Sequence, residues 1–316
     1  MYRKLTLVAV LLLVSFASAS YAQVQRSPKF SDWAPAEHLP PPINSEFDDQ
    51  APILSKDERT LYFTSNRPGS VGGSEDIWVS TRKTRNSAWR TPVNLGPTVN
   101  SPGIERLRSL TPDEKVLLFM SDRQGSTGQT DIWAIVREKV NDESKWSAPI
   151  NLGPTINSVN SEVAAKYLFA NSGHVRKLFF TAVRPEGFGG PDIYESNINV
   201  DAFEPPVNVF ELNSPSVETC FWIRDDGLEL IFISNRPELT GDLAYNELWV
   251  SIRDSVYEAW SPPVKLGPNV NAAGYQDVNP SLSSDGRTMF FASKRPGGIS
   301  TGKFDIYMTT RRRTAE

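Results

Sequence analysis

One carboxylate returns in each of five similar stretches of the chain: Asp49, Glu105, Glu162, Glu218 and Asp277. Each follows an asparagine, by five residues after Asn44, Asn100, Asn157 and Asn213 and by six after Asn271. Carboxylates gathered around one opening can do two kinds of chemistry. Their oxygens can cage a hard cation such as calcium, although the chain holds no contiguous calcium-loop motif. Two of them about 5 to 10 Å apart can serve as acid and as base or nucleophile on a glycosidic bond. Crowded acids also raise one another's pKa unless a cation or an arginine compensates. The third reading is structural: each acid caps backbone N–H groups of its own turn.

Around these acids the stretches differ, and differences are where a ligand can be read. Arg106 and Arg108 stand two apart, on one face of an extended strand. The aligned positions hold Gln50 and Pro52, Val163 and Ala165, Thr219 and Phe221, and Val278 and Pro280. Trp222 and Arg224 are added in the fourth stretch, Lys166 and Tyr167 in the third. Acids, arginines and aromatics at one mouth suit a sugar or an anionic peptide end. Alternatively the arginines neutralise the acids and Trp222 packs in the core. No catalytic residue is assigned. Gly298 to Gly302 match G-x-S-x-G, but in a hairpin loop rather than a strand-to-helix elbow, and no histidine follows Ser300. His38 and His174 are the only histidines and Cys220 the only cysteine, which excludes an intramolecular disulfide and a cysteine-based metal cluster.

The elements that must position these residues come from a repeat. Trp33, Trp89, Trp146, Phe203 and Trp260 are spaced by 56, 57, 57 and 57 residues, and each opens a variant of W-x-x-P-V-N-L-G-P-x-V-N. The runs inside each unit are short, β-branched or aromatic, and broken by Gly, Pro, Asn and Asp. In the first unit they follow Asp49, Leu61, Asp76 and Arg90, four strands, the content of one propeller blade. The expected fold is an all-β, five-bladed propeller over residues 33–316. The last unit ends after its third run, Asp305 to Thr310, and a spare outer run stands at residues 33–39. Those residues are expected to complete the last blade and close the ring.

A charged pair also recurs, at separations of 8 to 11 residues: Arg67 with Asp76, Arg123 with Asp131, Arg184 with Asp192, Arg236 with Glu247 and Arg295 with Asp305. Each arginine ends the second strand and each acid starts the third. The expectation is a bidentate clamp across the hairpin base.

Three segments carry a resemblance: Ser55 to Ser70 (SKDERTLYFTSNRPGS), Leu110 to Gly125 (LTPDEKVLLFMSDRQG) and Ser283 to Gly298 (SSDGRTMFFASKRPGG). They resemble the WD40-like propeller repeat of TolB and of many exported bacterial proteins. The resemblance covers residues 33–316 and implies the propeller fold but little about activity; the reading adopted is a non-catalytic propeller that binds a protein or a glycan in the bacterial envelope. The alternative is a glycan-active enzyme, hydrolase or lyase, using carboxylates at the channel mouth.

Residues 1–22 carry Arg3, Lys4, an apolar run from Leu5 to Phe16 and small residues up to Ala22, the pattern of a secretory signal, followed by a short linker at 23–32. Removing Arg3 and Lys4 takes the formal net charge from -4 to -6. An acidic chain with scattered signs gives no footprint for nucleic acid. A periplasmic or secreted monomer follows, with no membrane segment after cleavage, no cofactor beyond a calcium ion in the channel, and Arg311, Arg312 and Arg313 as a frayed end.

Overall fold

In the computed structural model, residues 30–140, 145–170, 173–199, 202–237, 246–299 and 301–314 are described. The expected secretory signal at 1–22, most of the expected linker and Ser300 lie outside them. The strands form five antiparallel sheets of four. Blade one is β2 (Asp49–Leu54), β3 (Thr60–Ser65), β4 (Asp76–Thr81) and β5 (Val93–Asn94). Blade two is β6 (Glu105–Leu110), β7 (Val116–Ser121), β8 (Asp131–Val136) and β9 (Ile150–Asn151). Blade three is β10 (Glu162–Ala170), β11 (Val175–Ala182), β12 (Asp192–Asn197) and β13 (Val207–Asn208). Its first two strands are longer than their counterparts, which absorbs a four-residue insertion between Glu162 and Phe180. Blade four is β14 (Glu218–Ile223), β15 (Glu229–Ser234), β16 (Glu247–Ile252) and β17 (Val264–Lys265).

Blade five takes β18 (Asp277–Leu282), β19 (Thr288–Ser293) and β20 (Asp305–Thr310) from one end of the chain and β1 (Glu37–His38) from the other. β1 pairs antiparallel with β20, Glu37 opposite Met308. The edge of β20 is thereby covered, and no blade is left incomplete. The first strands of the blades touch in ring order, β2 to β6, β10, β14, β18 and back to β2, and enclose the channel. Among the described residues no helix is long and apolar enough to cross a membrane.

The repeated polar residues latch one blade to its own outer edge. Asn100 accepts from the Ile77 N–H at 2.9 Å and donates to the Ile77 carbonyl at 3.1 Å, completing the third strand as a neighbouring strand would. Asn44 does this to Ile306, Asn157 to Ile132, Asn213 to Ile193 and Asn271 to Leu248. The repeat tryptophans take an arginine that follows the third strand: Arg82 over Trp89 at 4.3 Å, Arg137 over Trp146 at 4.4 Å and Arg253 over Trp260 at 4.1 Å.

Candidate functional site

The five repeat acids are sealed inside the blades rather than open to the channel: all have 0% exposure. In four blades an arginine from the end of the second strand reaches the acid, Arg67 to Asp49 at 2.5 Å, Arg123 to Glu105 at 2.9 Å, Arg236 to Glu218 at 3.0 Å and Arg295 to Asp277 at 2.5 Å. Ser45, Ser101, Ser158 and Ser214 add a backbone N–H and a hydroxyl to the same carboxylates. A buried carboxylate supplied with this many donors has its lone pairs filled. The acids therefore supply neither an ion cage nor a catalytic pair, and the calcium expectation loses its ligands. Among the described residues no group of three or more His, Cys, Asp or Glu could hold a metal ion.

The clamp expected across the hairpin base is also corrected: no ion pair joins Arg67 to Asp76, Arg123 to Asp131, Arg184 to Asp192, Arg236 to Glu247 or Arg295 to Asp305 among the described contacts. Asp49, Ser65 and Asp76 lie opposite one another on adjacent strands, so Arg67, two residues past Ser65, has a carboxylate on either side. Asp76 is already served by the Val71 N–H and by Asn94, both at 2.6 Å. Thr127 and Asn151 serve Asp131, Phe188 and Asn208 serve Asp192, Ile299 and His38 serve Asp305, and Lys265 pairs with Glu247. The third-strand acid caps its own loop, and the arginine turns inward. There it lies over a buried phenylalanine, as Arg67 does over Phe63 at 4.8 Å.

Blade three departs from this scheme for a local reason. Elsewhere the arginine Nε donates to a serine, Ser65, Ser121, Ser234 or Ser293. The matching residue here is Ala182, and Arg184 Nε has no partner among the described residues. Arg184 still reaches the Ile156 carbonyl at 2.7 Å, but makes no ion pair with Glu162. Burial pushes the Glu162 carboxyl up, against the bonds from Ser158. Burial raises Asp49 and Asp277 in the same direction, opposed by their arginines.

What faces the channel is a different set. The inner strands bulge just after their acids, between Gln50 and Ile53, Thr219 and Trp222, and Val278 and Ser281. Ala51, Cys220 and Asn279 sit there with φ of 51°, 41° and 54°, a region non-glycine residues seldom occupy. The bulges bring Cys220 and Asn279 to the channel, where strict alternation points to their neighbours. At the mouth where the inner strands begin, Arg106 forms an ion pair through Nε with Glu75, and its Nη2 donates to the same carboxylate at 3.2 Å. Gln50 donates to Glu75 at 3.1 Å, and Asn279 donates to Gln50 at 3.0 Å. Deeper, Arg108 donates to Asn279 at 3.1 Å, to Cys220 Sγ at 3.4 Å and to Met120 Sδ at 2.9 Å.

Arg106 and Arg108 are thus brought together as expected from their spacing, and Trp222 lines the small cavity beside Arg108. Trp222 packs at the far mouth under the Lys166 ammonium, 4.0 Å from the ring centre, and Lys166 pairs with Asp225 at 3.1 Å. The sequence reasoning missed Glu75, which precedes Asp76 where the other blades have Thr130, Pro191, Asn246 and Phe304. It also missed Asp48, which precedes Asp49 where the others have Ile104, Ser161, Val217 and Gln276. Aligning the residue before each repeat acid would have exposed both. Asp48 accepts from the Phe304 N–H at 2.9 Å and lies near enough to Arg106 to favour its charged form.

No protein-family model matches the chain, and no curated protein matches its sequence. Solved structures share its fold. The catalytic domain of a Coprinopsis cinerea GH62 α-L-arabinofuranosidase aligns at 10% identity with a TM-score of 0.56, over 92% of this chain and 99% of its own. An endo-arabinase from Bacteroides thetaiotaomicron VPI-5482 aligns at 13% identity with a TM-score of 0.55, over 87% and 97%. A putative TolB from Agrobacterium tumefaciens aligns at 13% identity with a TM-score of 0.46, over 85% and 91%. At such identities the common ground is the fold alone. The expectation of a non-catalytic, TolB-like scaffold is corrected by this comparison: three arabinofuranosidases and an endo-arabinase align with TM-scores of 0.50 to 0.56.

Proposed function

We propose that the protein is a glycan-active enzyme working at the channel mouth where β2 and β6 begin, with Glu75 and Asp48 as its carboxylates. The observation that carries this reading is asymmetry: both acids belong to blade one alone, Glu75 pairs with Arg106, which belongs to blade two alone, and Asp48 pairs with Lys303 at 3.2 Å beside the same mouth. Four-stranded packing repeated five times requires none of the three. Glycoside cleavage needs a pair of carboxylates flanking the bond. The sealed repeat acids cannot supply them, and Glu75 and Asp48 are each partly exposed, at 17% and 19% of the side chain. Gln50 and Asn279 offer amides to sugar hydroxyls beside them, and Arg106 is 35% exposed at the same mouth. The arabinofuranosidase and endo-arabinase neighbours support the class of reaction through the fold they share with this chain.

In the same reading the chain is a WD40-like repeat protein exported through residues 1–22 and active as a monomer in the periplasm or outside the cell. The test is a reducing-end assay on arabinan, arabinoxylan, xylan and pectic polysaccharides, run on the wild type and on Glu75→Gln and Asp48→Asn. The expected result is cleavage of at least one polymer and a loss of about 100-fold or more in each variant at an unchanged melting temperature. A wild type inert on all four, or variants as active as the wild type, would sink the assignment.

A further inference from the structure

The waist of the channel contains a guanidinium without a counter-charge. Arg108 is 8% exposed and makes no ion pair with any described residue. Its three hydrogen-bond partners are an amide oxygen and two sulfurs, and its Nε has none. Glu75 does not reach it: its ion pair is with Arg106, and no hydrogen bond or ion pair joins it to Arg108. Of the two arginines, only Arg106 has a carboxylate in contact. A buried ion in this condition is held at a high cost unless something of opposite sign reaches it.

Beside Arg108 lies a cavity of ≈ 20 Å³, walled by Ala51, Pro52, Ala164, Cys220, Asn279 and Pro280. That is room for about one water-sized particle, too little for a carboxylate-bearing sugar or a phosphate. The side chains of Ala51, Pro52, Ala164 and Pro280 offer no donor to compete for it. We propose that this cavity is a halide site, in which one chloride-sized anion bridges Arg108 and neutralises the channel. Arg108 is found in no other blade: the aligned residues are Pro52, Ala165, Phe221 and Pro280. The site adjoins the proposed catalytic mouth through Asn279, and its test does not depend on any activity.

The full chain is melted in sodium chloride, sodium bromide and sodium gluconate at matched ionic strength, and crystals grown in bromide are measured at the bromine edge. The wild type should melt several degrees higher in either halide than in gluconate, and Arg108→Leu should melt at the same temperature in all three. An anomalous peak should stand within hydrogen-bonding reach of Arg108 Nε. Equal wild-type melting in the three salts, or bromide found only elsewhere, overturns the proposal, and the crystal result decides even where the variant does not fold. Fast alkylation of Cys220 combined with no halide response would also overturn it, because the sulfur would then be a thiolate and itself the counter-charge.

Discussion

The guanidinium of Arg311 lies 4.2 Å from the centre of the Trp33 ring, so the end of the last unit stacks on the start of the first. The expected frayed terminus is corrected here: Arg311 is 9% exposed, donates to the Gly286 carbonyl at 2.8 Å and binds both oxygens of Glu229 in blade four. Phe30 covers its other side at 3.8 Å. This is the same arginine on tryptophan contact that Arg82, Arg137 and Arg253 make within single stretches of chain.

Closure should therefore be costly to break. Trp33→Ala removes a buried indole and is expected to cost about 3 to 5 kcal/mol. Urea unfolding measures this, and Trp89→Ala, whose ring is more exposed, should cost less. Deleting residues up to 39 would leave β20 an open edge, with aggregation seen by light scattering.

Glu105 and Glu162 occupy the same repeat position with different partners, and the same substitution should separate them. Glu105→Gln leaves the Arg123 guanidinium buried without its carboxylate, at a cost of about 3 to 5 kcal/mol. Glu162→Gln breaks no ion pair and keeps an oxygen for Ser158, so about 1 kcal/mol is expected. Equal losses in denaturant melts would show that the arginine contact is not what distinguishes the blades.

Ala182→Ser should stabilise the protein. The new hydroxyl would accept from Arg184 Nε and donate to Glu162, as Ser121 does between Arg123 and Glu105. A gain of about 1 kcal/mol is expected, a rise of roughly 2 °C in melting temperature for a domain of this size. Coupling to Glu162 is checked by combining Ala182→Ser with Glu162→Gln, where the gain should shrink.

Stability should rise as the solution is made mildly acidic. Burial raises the carboxyls of Asp49, Asp76, Glu162, Asp192 and Asp277, so between their folded and unfolded pKa values the native state holds more protons. Stability then falls as pH rises through that window and is greatest toward its lower end. Asp57 and Asp285 act oppositely: burial works against them, but bonds from Ser55 and Arg59, and from Ser283 and Arg287, hold their carboxyls low. Their contribution is lost as pH drops below the ordinary aspartate range. Melting temperature against pH should peak on the acid side of neutrality, and Glu162→Gln should flatten the slope above the peak.

The five blades, their four strands and the closing role of residues 33–39 were legible in the sequence, because each blade is made from adjacent residues and its spacing is written along the chain. The Trp33 spacing fixes the missing strand by arithmetic alone. The partner of Arg67 was not legible. Asp49 and Asp76 flank it on either side of Ser65; Arg67 takes Asp49, while Asn94 and the Val71 N–H both bind Asp76 Oδ2 and leave its Oδ1 without a partner among the described residues. The channel contacts were further out of reach. Glu75 meets Arg106, Gln50 meets Asn279 and Arg108 meets Cys220 across separations of 31, 229 and 112 residues. No local pattern sets such pairs. Ring closure brings the inner strands together, and the backbone bulges at Cys220 and Asn279 decide which side chains turn toward the axis.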